Sequence, residues 1–199
     1  MSRYHRKRIG DPAYKTLADA IYSTIELAEE NDAECGRVGL TGLDRRKRGV
    51  IDIGCSVGEV LHHLQEKIPG PWQGVDSSTE AAALFMTRCN GNFVGCDLAT
   101  PQWENQPLIS RSYSIIICCE VAEHVKPDKH LVELIHRCGN QMGSLLFFGA
   151  GHPGQPGKGH VNCQDKAYWQ DKFGFQFIYD DDLSSFFLKK LKRGPHKRS

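Results

Sequence analysis

Hydrophobic positions recur along this chain in two alternating rhythms. Short, nearly continuous apolar runs lie near residues 49–53, 72–75, 92–96, 113–119 and 144–149. Between them, near 59–68, 79–89 and 128–138, apolar residues fall three and four apart among polar ones. The first rhythm predicts strands buried on both faces, and the second predicts amphipathic helices that cover them. An earlier helix is predicted over 13–30: Asp11-Pro12 opens it, and Leu17, Ala20, Ile21, Thr24, Leu27 and Ala28 follow at helical spacing. Past a glycine-rich loop, Gly149 to Gly159, a helix is expected near 164–173. Two last runs, Phe175–Tyr179 and Ser185–Leu188, read as a closing pair of strands.

Strand alternating with helix predicts a parallel sheet with right-handed crossovers. The chain has 199 residues, enough for one α/β domain with a full core. We expect residues 1–48 to form a basic tail, a helix and a connection. Residues 49–190 would be the domain proper, and 191–199 a basic C-terminal tail. No apolar run approaches the roughly 20 residues that span a membrane. The basic N-terminus has no hydrophobic segment after it, so a secretory signal is not expected and the cytoplasm is. The eight cysteines include no Cys-x-x-Cys pair, and Cys55, Cys96, Cys118 and Cys119 fall in or beside predicted buried strands. They read as small core hydrophobes rather than a disulfide frame or zinc site, with Cys163 alone beside the candidate site. Oligomeric state leaves no mark on the sequence.

The densest chemistry is Val50-Ile-Asp-Ile-Gly54-Cys-Ser-Val-Gly58, a β-branched run broken by a glycine turn and followed at once by a helix. Glycines there let bare backbone approach a ligand, and the helix N-terminus offers free N–H groups. Ser56 stands where a dinucleotide turn has its second glycine, and no Lys-Ser/Thr follows as in a phosphate loop. About 20 residues on, Gly74-Val75-Asp76 ends the second strand at the spacing that sets an acid against a ribose. The third run ends in Asp97-Leu98 and the fourth in Glu120. In an open parallel sheet these ends share one crevice. Asp76 would then face a diol and Asp97 a base edge.

The ordered segments VIDIGCSVGEV, GVDSS, VGCDL and YSIIICCEVAEHV resemble the class I S-adenosylmethionine-dependent methyltransferases over about residues 48–190. The resemblance implies a doubly wound, mostly parallel seven-stranded sheet whose last strand is antiparallel. It implies S-adenosylmethionine as cofactor. Asp52, Gly54 and Gly58 would hold its methionine end, Asp76 the ribose hydroxyls and Asp97 the adenine amine, with Leu98 near the ring. Glu120 would face the cofactor's ammonium group.

After the fourth strand comes Glu120-Val-Ala-Glu123-His124, whose acidic and imidazole side chains would share one face of a helical turn. With His160, on the loop past the fifth strand, these four residues would hold a divalent ion such as Mg²⁺ or Mn²⁺. The pattern resembles metal-dependent O-methyltransferases, including small-RNA 2′-O-methyltransferases and ubiquinone-pathway enzymes. Alternatively His160 is a general base, with Glu120 and His124 beside it, because a hydroxyl of pKa ~15 needs activation. The segment Gly159-His160-Val161-Asn162 with Tyr168-Trp169 resembles small methyltransferases that modify sugars or glycans. Helix packing is the plainer expectation for Tyr168-Trp169.

Net charge is +1, yet fourteen of the 25 basic residues lie in three short blocks, 3–8, 45–48 and 189–198. Such blocks are also nucleic-acid footprints. An antiparallel last strand would put the second and third at the sheet edge opposite the crevice, leaving only residues 3–8 to reach it. The sequence therefore favours an enzyme that methylates oxygen on a small hydroxylated metabolite or sugar. The ribose oxygen of an RNA, with a divalent metal, is the runner-up acceptor. A cofactor-binding scaffold without turnover stands third.

Overall fold

The computed structural model describes residues 8–34, 49–107, 109, 111–139 and 143–192. Helix α1 (Pro12–Glu34) leads into strand β1 (Val50–Ile53) and helix α2 (Glu59–Leu64). Strand β2 (Trp72–Asp76), helix α3 (Thr79–Arg88) and strand β3 (Asn92–Gly95) follow. Strand β4 (Ile115–Cys119), helix α4 (Lys129–Cys138), strand β5 (Leu145–Gly149), helix α5 (Lys166–Phe173) and helix α6 (Asp181–Lys192) complete the described elements.

The five strands are all parallel, in the order β3-β2-β1-β4-β5. The chain runs outward from β1 in one direction and restarts at β4 in the other. The topological switch therefore lies between β1 and β4, where crevices open in such sheets. Side chains alternate across each strand and feed two cores. Val50, Ile115 and Ile117 pack with α1, α2 and Phe85 of α3. Ile51, Ile53, Ile116 and Cys118 pack with α4 and with Trp169 and Phe173 of α5. Burial on both faces accounts for the unbroken apolar runs. The cysteines of β1's turn and of β4 fill these cores as free thiols. Among the described residues no helix is long and apolar enough to cross a membrane.

The closing strand pair is not formed. Residues 185–188 lie inside α6, and 175–179 join no strand, so among the described residues the sheet has five strands and none is antiparallel. Capping explains the difference. The Asp180 carboxylate accepts the Leu183 amide at 2.8 Å. Asp181 and Asp182 occupy the first turn, and Lys189, Lys190 and Lys192 the last, matching both ends of the helix dipole. Leu183 and Phe187, four apart, face the α1-side core, with Phe187 5.4 Å from the Phe147 ring. The C-terminal lysines described here thus sit on a helix rather than a strand end. Residues 45–48 and 193–199 lie outside the described residues.

Phe85 is fully buried beneath the β1 turn and would touch any Cβ placed at Gly58 or Gly74. Its replacement by alanine opens a cavity under the turn. Urea unfolding of Phe85→Ala should show a loss of about 3–5 kcal/mol. Cofactor affinity should fall with it.

Candidate active site

The turn after β1 is shaped by exclusion. Gly54 has φ +79°, and a Cβ there would lie 2.2 Å from Val121 Cγ2, in the segment after β4. Gly58 also has φ +79°, and its Cβ would meet Cys89 Sγ at 2.6 Å. Glycine alone accepts both the backbone region and the contact. Between them Ser56, which is not glycine, is held at φ +49°. Its amide donates to Asp76 Oδ2 at 2.8 Å, and the Ser78 amide donates to Asp76 Oδ1 at 2.9 Å. Asp76 therefore ties the β1 turn to the end of β2. Each carboxylate oxygen keeps a lone pair for a ligand.

Two cavities meet at this turn. A cleft of about 440 Å³, the size of small-ligand sites, is lined by Asp76, Ser78, Asp97, Leu98, Val121 and His124. A smaller pocket of about 80 Å³ is lined by Tyr14, Leu17, Asp52, Cys55, Ile117 and Cys119. Arg8, Gly54, Ser56 and Glu120 line both. Asp97 is exposed, with Oδ1 accepting the Ala99 amide at 2.9 Å, and Leu98 is buried. Beneath the turn, buried Glu59 is ion-paired with Arg88.

Two acids of this junction hold their protons more tightly than usual. Burial, and then the Asp76 charge, push Asp52 up to about 7 against the opposing charge of Arg8. Burial and Glu123 raise Glu120, while His160 and His124 oppose the rise. A bound cation would favour the ionised forms.

The sequence placed Glu120, Glu123 and His124 on one helical face, and the structure does not. Glu120 takes a left-handed conformation, φ +58°, ahead of a single 3₁₀ turn at Ala122–His124. That backbone reversal points the two acids apart. Glu120 lines the cavities, whereas Glu123 is fully buried beneath the glycine-rich loop. Ligand atoms of Glu123, His124 and His160 lie within 4.8 Å of one another, and Glu120 is outside that group. Neither Glu123 carboxylate oxygen has a hydrogen-bond partner among the described residues. His124 Nδ1 meets the Gly159 carbonyl at 3.0 Å, and His160 Nδ1 meets the Gln155 carbonyl at 3.2 Å. A carbonyl partner assigns the proton to Nδ1, so Nε2 carries the lone pair on each ring. The rings meet edge to face with centroids 4.9 Å apart. Cys163 Sγ is 3.5 Å from His160 Nδ1.

A bracket holds the loop in place. The Val161 and Asn162 amides donate to the Glu123 carbonyl at 2.8 and 3.0 Å. The buried Asn162 side chain donates to the Val125 carbonyl at 3.1 Å and to Asp128 at 3.4 Å. Tyr168 donates its hydroxyl to Asp128, which pushes its pKa up to about 12. Trp169 packs on Phe148 and Phe173. Tyr168-Trp169 thus serves packing and positioning. The spacing of the sequence held no sign of this bracket, nor of Tyr14 and Leu17 in the small pocket. Arg8 ends the one basic block that topology allowed to reach the crevice.

The family described as "Methyltransferase domain" matches residues 50–143, the stretch from β1 through the β4 loop and α4. That match and the fold support the class I S-adenosylmethionine-dependent methyltransferase family for this chain. Among solved structures, this chain is similar to the YcgJ protein from Bacillus subtilis. TM-score there is 0.55 at 17% identity, over 78% of this chain and 82% of that one. It is similar to the plantazolicin methyltransferase BpumL in complex with a triazolic desmethylPZN analog and SAH. The TM-score is 0.60 at 13% identity, covering 98% of this chain and 84% of that one. It is also similar to the sugar N-methyltransferase KedS8 from a Streptoalloteichus species. The TM-score is 0.52 at 18% identity, covering 79% of this chain and 56% of that one. No curated protein matches the chain.

S-adenosylmethionine, the cofactor the resemblance implies, is a sulfonium cation with an ammonium group, and its methionine end would meet the Asp52 carboxyl described above. Below a pKa of about 7, such binding would first have to expel a proton from Asp52. Cofactor affinity should therefore rise as pH climbs towards about 7 and level off above it. Calorimetry of Asp52→Asn across the same range should show a flattened profile. An unchanged slope in that variant would assign the proton elsewhere.

Proposed function

We propose that this protein is an S-adenosylmethionine-dependent methyltransferase that delivers the cofactor's methyl group to a hydroxyl of a small polyhydroxylated acceptor, a metabolite or sugar. The carrying observation is the junction of the two cavities. Glu120 lines both, and the Glu123–His124–His160 cluster lies beside it. In this reading Asp76 accepts from the two ribose hydroxyls through its remaining lone pairs. Asp97 accepts from the adenine amine, with Leu98 against the ring. Gly54 and Gly58 leave room for the tail, and Asp52 and Glu120 face its ammonium group. In-line displacement at the sulfonium methyl then depends mainly on orientation.

His160 is the candidate general base. Its Nδ1–H is committed to the Gln155 carbonyl, so the basic lone pair is on Nε2. Gly157 gives the ring its space, since a Cβ there would sit 2.1 Å from Nε2. His124 lines the cleft and stands against it. The same cluster also fits a divalent cation. A fully buried carboxylate without a donor, next to two imidazoles whose Nδ1–H groups are anchored on carbonyls, is a hard-to-borderline donor set. An ion such as Mg²⁺ or Mn²⁺ held by Glu123, His124 and His160 would lower the acceptor hydroxyl's pKa.

Two named neighbours support a small acceptor, one a sugar N-methyltransferase and one bound to a desmethylPZN analog. A second reading, the 2′- or 3′-oxygen of an RNA, is supported by the same donor set and by Arg8, which ends the first basic block at the cleft. Transfer of radiolabelled methyl to sugar, metabolite and RNA pools separates them. Label in the sugar or metabolite pool is expected, and label in RNA alone would overturn the first reading.

Asp76→Ala should weaken cofactor binding about 10-fold or more by calorimetry, because it removes charge-assisted bonds of roughly 1.5–3 kcal/mol each. The chelator arm separates the two mechanisms. With a metal, EDTA abolishes turnover, Mg²⁺ or Mn²⁺ restores it, and Glu123→Ala, His124→Ala and His160→Ala lose activity to similar degrees. With His160 as base, EDTA has no effect. His160→Ala alone then costs about 10²–10⁴-fold.

A further inference from the structure

Helix α6 has an occupied side and an open one. Leu183 and Phe187 pack against the core that holds Ile21 and Ile25 of α1. Asp181, Asp182, Ser185, Leu188, Lys189 and Lys192 are exposed, and every other residue of the helix is half-buried. At about 100° per residue, the exposed set shares an arc of about 120°. Down its middle run Asp181, Ser185, Leu188 and Lys192, at the alternating four- and three-residue steps of a helix that faces another helix.

Acids stand at one end of this face and lysines at the other, about 16 Å apart along the axis. No acid of α6 lies three or four residues before a lysine, so these charges find no partner within the helix. Among the described residues they make no ion pair elsewhere. The helix dipole sets which end each sign takes but not which side. Between the ends Leu188 is 50% exposed. Six large apolar side chains are exposed among the described residues, and four of them fall within 175–188: Phe175, Ile178, Tyr179 and Leu188. Apolar surface gathered in one stretch marks a protein contact.

We propose that the outer face of α6 is a self-recognition surface, on which a second copy of this chain docks its own α6 antiparallel about a two-fold axis. Such a face is complementary to itself. Asp181 and Asp182 of each copy meet the other copy's Lys192 and Lys189. Leu188 of each lies over the other's Ser185, which is small enough to admit it. Every contact then occurs twice, as an isologous interface requires. The inner face stays on α1, which supplies Tyr14 and Leu17 to the small pocket, so pairing braces one wall of that pocket.

Sedimentation velocity of the full chain over a concentration series tests it. A dimer is expected whose share grows with concentration. Asp181→Lys with Asp182→Lys makes both ends of the face basic, and Lys189→Glu with Lys192→Glu makes both acidic. Each double variant alone should associate about 10-fold or more weakly, because like charges meet at both contacts. An equimolar mixture of the two should regain the dimer, because opposite charges meet again. Ser185→Arg leaves the helix ends unchanged and fills the space that receives Leu188, so it should also abolish association. Where charge reversal unwinds α6, seen as lost circular dichroism, the Ser185→Arg result decides alone. A wild-type chain that stays monomeric throughout would overturn the proposal. A dimer that survives Ser185→Arg would overturn it too, as would a mixture of folded variants that stays monomeric.

Discussion

One carboxylate holds the crevice edge of this sheet in shape. Asp76 accepts the amide of Ser56 with one oxygen and that of Ser78 with the other. Ser56 would not otherwise rest at φ +49°, which costs a non-glycine residue on the order of 1 kcal/mol or more. The bond fixes the β1 turn relative to the end of β2 and starts α3. It also orients the acid itself, which leaves its outward lone pairs aimed along the cleft. A change at Asp76 therefore alters both ligand chemistry and turn geometry, and the two losses are not additive.

The second constraint comes from the other side of the switch point. Gly54 must be glycine because Val121 occupies the space of a Cβ. Val121 sits there because Glu120, at the end of β4, turns the backbone into the left-handed region. The two central strands are thus interlocked just beyond their C-terminal ends, and Glu120 is placed at the junction by that same reversal. Strain on both sides of the junction, at Ser56 and Glu120, is concentrated where the two cavities meet.

Most of the fold was legible because burial on both faces leaves unbroken apolar runs, as in Ile115–Cys119, and because each run ends in an acid or a glycine. The ordered set Gly54, Gly58, Asp76 and Asp97 marked the crevice for the same reason. Two features were not legible. The run Ser185–Leu188 is apolar enough to pass for a strand. Its helical state rests on the Asp180 cap and on Leu183 and Phe187, one turn apart, finding a core to cover. The direction of Glu120 depends on a single positive φ, which spacing along the chain does not encode. Counting i, i+3 and i+4 assumed a helix that begins only at Ala122.

The bracket of Asn162, Asp128 and Tyr168 has a consequence for how such a chain diversifies. Glu123, His124 and His160 are held at the root of the glycine-rich loop by bonds to the β4 segment and to α5. At the tip, Gly154 has open space around it and its neighbours His152 and Pro153 are exposed. Insertions or substitutions at the tip would remodel whatever passes over the cleft without disturbing the root. The fold thereby separates a part that selection can vary freely from a part it must keep. New acceptors would then be gained by lengthening or recolouring a few residues around Gly154, with the Glu123–His124–His160 cluster inherited intact.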